Sequence, residues 1–244
     1  MSERRLFVPP SRLAARQLTL TGPEHRHIAR VLRARPGQAV TLFDGIGGEV
    51  DAEVVRVGDR ETELALRGRR EAPTVTTGVP LVLLAAIPRG ARMDFLLQKT
   101  VELGVSRIVP VVMARSVVRP DAGKQGRWQT IAQEAARQSG RADVPGVDAP
   151  TALGAALADA ALPARRFVIW EGEKSRALGA ALAGAAPVAT ALLVGPEGGF
   201  APGEVDAARA AGFVPAGLGP RILRVETAAM VAVALAQQAL GGLG

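Results

Sequence analysis

The chain has 244 residues, 48% of them hydrophobic, carries a formal net charge of +7 and contains no cysteine. This length suits one large domain or a small and a medium one, and the missing cysteines exclude disulfides and thiolate chemistry. No apolar run reaches the roughly 20 residues that cross a bilayer, and the opening MSERRLFVPPSRL lacks the apolar stretch of a secretory signal, so a cytoplasmic protein is expected.

The basic charge is nearly all arginine. Only Lys99, Lys124 and Lys174 are lysines among 30 basic residues, which leaves 27 arginines. Arginine grips phosphate through a planar fork of donors, whereas a GC-rich genome enriches it for no structural reason. The charge therefore points to an anionic partner in outline only.

A short helix is expected over about His25–Ala34. At about 100° per residue, Arg26, Arg30 and Arg33 fall on one face and Ile28, Val31 and Leu32 on the opposite one. Two readings stand for the arginine ridge: a solvated helix face, or a track for RNA phosphates. His25 and His27 are the only histidines, and their i, i+2 spacing points them to different sides of a helix, so no metal site is expected.

QAVTLFDGIGGEVDAEVVRV reads as two strands around an Asp44-Gly45 turn, and ETELALRG as another strand. RREAPTVTTGVP, with Pro73, Gly78 and Pro80, is a linker by composition. The expected division is a small β-rich domain over residues 1–72 and a larger domain over 73–244.

Beyond the linker the pattern changes. LVLLAAI is an apolar strand, and ARMDFLLQKTVELGV places Met93, Leu96, Leu97, Thr100 and Leu103 at helical spacing. RIVPVVM, RFVIW, ATALLVG and FVPAGLG continue as strands between helical stretches, among them RWQTIAQEAARQSG, and ETAAMVAVALAQQAL closes as a long helix. Alternation of this kind implies an α/β domain with a mostly parallel sheet covered on both faces.

Three loops follow the last three strands: WEGEKS at 170–175, GPEGGF at 195–200 and LGPRILRVETA at 218–228. In a parallel sheet they share the carboxyl edge, where ligands of open α/β sheets bind. A phosphate-gripping P-loop is excluded because Gly199 is followed by Phe200 rather than by Lys-Ser/Thr. GLGPRI supplies two of the three glycines of a dinucleotide fingerprint, and Pro220 interrupts it.

GPEGGF, LGPRILRVETA, QKTVELGV and EAARQSGR resemble the bacterial 16S ribosomal RNA uracil-N3 methyltransferases of the knotted SPOUT superfamily. HRHIARVLRAR with GQAVTLFDG resembles that family's PUA-like RNA-binding domain. The resemblance implies a trefoil knot near the C-terminus, a homodimer, and 16S ribosomal RNA or the small ribosomal subunit as partner. It also implies S-adenosylmethionine as cofactor. The residues expected to hold it are Trp170 and Glu171, then Gly195, Pro196, Glu197, Gly198 and Gly199, then Leu218, Gly219, Ile222 and Leu223.

Methylation of uracil N3 requires loss of the N3 proton and stabilisation of charge on O2 and O4. Arg221, Arg224 and Glu226 are the candidates. Arg221 and Arg224 would brace a phosphate or a uracil oxygen. Glu226 either accepts the proton or merely caps or charges the start of the last helix. Lys99 and Glu102 form a surface ion pair or approach a partner subunit, and Gln138 and Arg141 are candidates for contact with RNA or an interface. Two alternatives to the uracil-N3 reading are a SPOUT enzyme acting on another base or on ribose, and a non-catalytic RNA-binding assembly factor. The intact glycine loops argue against the latter.

Overall fold

The computed structural model describes residues 4–71, 78–116, 123–184 and 186–243. The expected domain boundary at 72/73 lies outside the described residues. The chain divides into two compact units, Met1–Val75 with Ala136–Val144, and Thr76–Ala135 with Pro145–Gly244.

The first unit is built on five strands: β1 (Arg5–Phe7), β2 (Gln17–Thr21), β3 (Ala39–Phe43), β4 (Gly48–Val57) and β5 (Glu61–Glu71). Their order is β1-β3-β4-β5-β2, with β1 parallel to β3 and the other pairs antiparallel. Period-two alternation puts Val50, Ala52 and Val54 of β4 inside, against Leu42, Leu64, Leu20 and Ile28. β1 and β2 were not expected from the sequence. β1 has three residues, too few for a pattern to stand out, whereas β2 does alternate, with Leu18 and Leu20 inside.

The N-terminal helix differs from expectation. It starts earlier, as α1 (Gly22–Arg26), and continues as a π-wound turn over His27–Val31. There Leu32 N–H bonds His27 O at 2.9 Å and Ala34 N–H bonds Ile28 O at 3.1 Å. The wider turn breaks the 100° spacing. Val31, expected on the apolar face, is 67% exposed. Arg33 lies past the helix end with φ 47°, the only left-handed non-glycine among the described residues, a conformation that costs about 1–2 kcal/mol.

Residues 136–144 are tied into this unit by their backbone. Val144 N–H bonds Gly45 O at 2.9 Å, and Arg5 Nη2 donates to Arg141 O at 3.2 Å. The Arg5 guanidinium is also paired with Glu49, and both groups are buried.

The second unit is a parallel sheet: β6 (Leu81–Ala86), β7 (Arg107–Val112), β8 (Gly146–Val147), β10 (Arg165–Ile169), β11 (Thr190–Val194) and β12 (Val214–Ala216), ordered β12-β10-β11-β6-β7-β8, with β9 (Thr151–Ala152) also on β7. Val82, Leu84, Leu193 and Val168 face Leu157, Val205 and Phe213 on one side. These last come from α4 (Leu153–Leu157), α6 (Glu204–Ala210) and the turn that follows it. On the other side, α7 (Val225–Leu240) packs on β6 and β11 and against α2 (Arg92–Glu102) and α5 (Leu178–Leu182), while α3 (Lys124–Gln138) completes the helices. The expected α/β unit with a parallel sheet and the expected small β-rich unit are both present. Among the described residues no helix is long and apolar enough to cross a membrane.

Glu49→Ala removes the charge that matches buried Arg5. It is expected to destabilise the protein by about 3–5 kcal/mol in urea unfolding; a loss below about 1 kcal/mol would show that the pair is open to solvent.

Candidate functional site

Ile169 at the end of β10 is in register with Val194 of β11 on one side and Ala216 of β12 on the other. The three following loops therefore leave the sheet at one level. They line a half-open cavity at that edge of the sheet, the concave kind of site that small molecules occupy. Its lining includes Trp170 and Glu171 from the first loop, Gly195, Pro196, Glu197, Gly199 and Phe200 from the second, and Leu218, Gly219, Arg221, Ile222 and Leu223 from the third.

Close packing shapes the walls. A Cβ at Gly195 would lie 2.7 Å from the Phe200 ring, so the missing side chain lets the loop fold back on its own start. Gly199 has φ 69°, and a Cβ there would lie 2.8 Å from Glu171 Oε1, which ties the second loop to the first. Gly198 is the one expected cofactor residue outside the lining. Its carbonyl accepts from Arg115 Nη1 at 3.0 Å, and a Cβ would lie 3.3 Å from Arg115 Cβ. Glu197 lines the cavity and is 3.4 Å from Arg92 Nη1.

The first and third loops are stitched together by backbone. Gly217 N–H bonds Arg176 O at 2.8 Å, and Leu178 N–H bonds Gly217 O at 3.0 Å. Glu173 locks the first loop by accepting from the Ser175 hydroxyl and from the Ser175 and Arg176 N–H groups. The Ser175 hydroxyl bond is the main cause that holds this carboxyl below its ordinary value.

The expected catalytic residues separate. Arg221 is exposed and lines the cavity. Arg224 is exposed at the N-cap of α7, outside the lining. Glu226 is 8% exposed, and its Oε2 is buried without a hydrogen-bond partner. The start of α7 has no side-chain cap, and Glu226 lies in its first turn, where a carboxylate suits the helix dipole.

The expected RNA contacts also divide. Arg26, Arg30 and Arg33 are exposed and have no ion pair or side-chain hydrogen bond among the described residues. Arg12, Arg56, Arg67, Arg69 and Arg70 of the same unit are each paired with an acid. Gln138 is exposed at the end of α3. Arg141 is corrected: it is 1% exposed and bound to Asp143 at 2.5 Å, so its guanidinium serves packing within the unit. Lys99 and Glu102 pair at 2.9 Å on α2. The sequence reading missed Arg92 and Arg115, because only folding brings them beside the 195–200 loop. Among the described residues no group of three or more potential ligands could hold a metal.

Residues 76–237 match the family model of the RNA methyltransferase domain, and residues 20–65 match that of the RNA methyltransferase PUA domain. A relative from Synechocystis, ribosomal RNA small subunit methyltransferase E, is 33% identical over 94% of this chain and 76% of its own. The chain belongs to this RNA methyltransferase family. A Bacillus subtilis member of the same name is 32% identical over 88% of this chain and 87% of its own. Among solved structures, a methyltransferase from Legionella pneumophila in complex with bound SAM superposes with a TM-score of 0.89 at 30% identity, covering 98% of both chains. A ribosomal RNA small subunit methyltransferase E from Neisseria gonorrhoeae bound to S-adenosyl methionine gives 0.81 at 34%, covering 97% of both.

Proposed function

We propose that the protein is a cytoplasmic S-adenosylmethionine-dependent methyltransferase acting on N3 of uridine 1498 in the 16S RNA of the small ribosomal subunit. The observation that carries this reading is the cavity itself: three glycine-bearing loops from adjacent parallel strands enclose it, in a family whose Legionella and Neisseria members hold the cofactor. Its chemistry fits the ligand. Leu218, Leu223 and Phe200 supply apolar wall, Gly195, Gly199 and Gly219 bring bare backbone to the lining, and Glu171 and Glu197 supply negative charge for a cationic ligand. We read the return from β12 to α7 as the trefoil knot of the family. It is supported by the bridge between Ala177 and Gly217 and by the packing of α7 back onto β6 and β11.

When bound, the cofactor supplies a methyl group on a cationic sulfur, ready for in-line displacement. The protein must then hold uracil in line and manage its N3 proton, and alignment alone supplies up to about 7–11 kcal/mol in favourable cases. Arg221, at the cavity wall, stabilises charge spreading onto the uracil oxygens. Arg224 braces the adjoining phosphate. Glu226 accepts the N3 proton on Oε2, the buried acceptor with no partner of its own. In the first unit, Arg26, Arg30 and Arg33 contact RNA phosphates. Their exposure, their lack of acid partners and their closeness in sequence on and just past one short helical segment support this role. The partly exposed face of α7, with Thr227, Met230, Val231 and Ala234, supports a homodimer, for which light scattering at micromolar concentration is expected to return twice the chain mass.

Incubation with small ribosomal subunits and labelled S-adenosylmethionine is expected to yield 3-methyluridine by nucleoside mass spectrometry; any other methylated nucleoside would refute the assignment. Gly199→Val should abolish cofactor binding in calorimetry. Glu226→Gln should keep binding while single-turnover transfer slows about 10²–10⁴-fold, the range for a proton-transfer group. Transfer at the native rate would remove Glu226 from the chemistry.

Replacing Arg26, Arg30 and Arg33 together with Ala is expected to lower the slope of log affinity against log salt by about 0.7–0.9 for each lost phosphate contact, with cofactor affinity unchanged. An unaltered slope would leave the ridge a solvated face.

A further inference from the structure

The cations of the second unit are unevenly neutralised. On its strands and helices, Arg107 is held by Asp148 and Asp159, Arg127 by Asp94, Arg209 by Asp206 and Lys99 by Glu102. Arg165 and Arg166 spend their donors on carbonyls and, for Arg165, on the Thr190 hydroxyl. Among the described residues, Arg89, Lys124, Lys174, Arg221 and Arg224 have no side-chain partner. Arg89, Lys174, Arg221 and Arg224 lie in the loops that follow the carboxyl ends of β6, β10 and β12, whereas Lys124 begins α3.

Arg89 and Arg92 follow β6, and Arg115 follows β7, the two strands on the other side of β11 from β10 and β12. Two of these three touch the 195–200 loop directly. Arg115 Nη1 donates to Gly198 O, a neutral carbonyl that leaves the positive charge unmatched and its other N–H groups available. Arg92 meets Glu197 at 3.4 Å with side chains 44% and 25% exposed, a contact worth little in water. Arg89 is exposed and unengaged.

We propose that Arg89, Arg92 and Arg115 form a phosphate-binding surface for the substrate RNA, on the β6–β7 side of the cofactor cavity. The proposal rests on the reading of the protein as an RNA methyltransferase and adds residues outside all three cavity loops. Arginine forks suit phosphate oxygens bidentately. A surface here holds the backbone next to the target nucleotide, so that positioning does not depend on Arg221 and Arg224 alone. The contact is to the backbone and carries no sequence preference.

The test measures anisotropy of a labelled single-stranded uridine oligonucleotide on the full-length protein at several potassium chloride concentrations. Arg89→Ala should lower the slope of log affinity against log salt by about 0.7, and Arg89→Ala with Arg115→Ala by about 1.4, following the single-strand counterion rule. Arg89→Ala should keep the native cofactor affinity in calorimetry. Arg56→Ala with Arg67→Ala removes equal charge from ion-paired sites and should leave the slope as it is. The surface is refuted if the Arg89 and Arg115 variants keep the native slope, or if the Arg56 and Arg67 control loses as much, since net charge alone would then account for it. If the native protein binds the oligonucleotide and methylates small subunits while the variants bind identically, this surface fails alone. If the native protein does neither, the methyltransferase reading fails and takes the surface with it.

Discussion

Ile169 pairs in register with Val194 on one side and Ala216 on the other, and the rest of the second unit depends on that double pairing. Parallel neighbours that end level must send their connections out of the same edge. Three loops then compete for one volume, and each can enter only where another leaves room. The absent side chain of Gly195 admits Phe200, that of Gly199 admits Glu171, and a Cβ at Gly217 would lie 2.5 Å from Glu173 O. The cavity is what remains after these close approaches. Its shape is set by backbone against backbone and ring, which is why it suits recognition through main-chain groups.

Charge is distributed on the same principle in both units. Where arginines sit on sheet surfaces they face acids across strands, as Arg67 does Glu53 and Arg56 does Glu63. Exposed pairs of this sort add little stability, but they cancel the local field. Among the described residues the cations without an acid include those around the π-wound turn and at the carboxyl edge of the parallel sheet, together with Arg16, Arg60 and Lys124. A polyanion is drawn to the unmatched charge rather than to arginine content as such. Composition alone could not separate an RNA-binding protein from one whose genome favours arginine codons.

Much of the second unit was legible in the sequence. Fully buried parallel strands are continuous apolar runs, so Leu81–Ala86 and Thr190–Val194 announce themselves, and Met93, Leu96, Leu97 and Thr100 repeat at helical spacing because one side of α2 is buried. The clustering of the three loops followed from parallel topology. Local pattern could not supply the π-wound turn at His27–Val31, since periodicity assumes a regular winding and the turn breaks it. Short β1 was hidden, because three residues carry no period and it is recruited by its partner Thr41–Phe43; β2 has the alternation of a strand in Gln17–Thr21 and was legible in principle.

By itself the sequence determined the chemistry available: arginine forks, glycines at strand ends, a carboxylate at the start of the last helix, and no thiol. Those are properties of residue types and spacing, and they survive any arrangement of the chain. Only the tertiary structure decided which of these groups are free to act. Arg141 and Arg26 look alike in sequence, yet one is sealed against Asp143 and the other stands in solvent without an acid. Gly198 and Gly199 are adjacent, yet one turns its back to Arg115 and the other lines the cavity. Arg92 lies 105 residues from Glu197 and reaches it only because β6 and β11 are neighbours in the sheet. Availability is a matter of burial and partnership, and contacts between residues distant in sequence decide both.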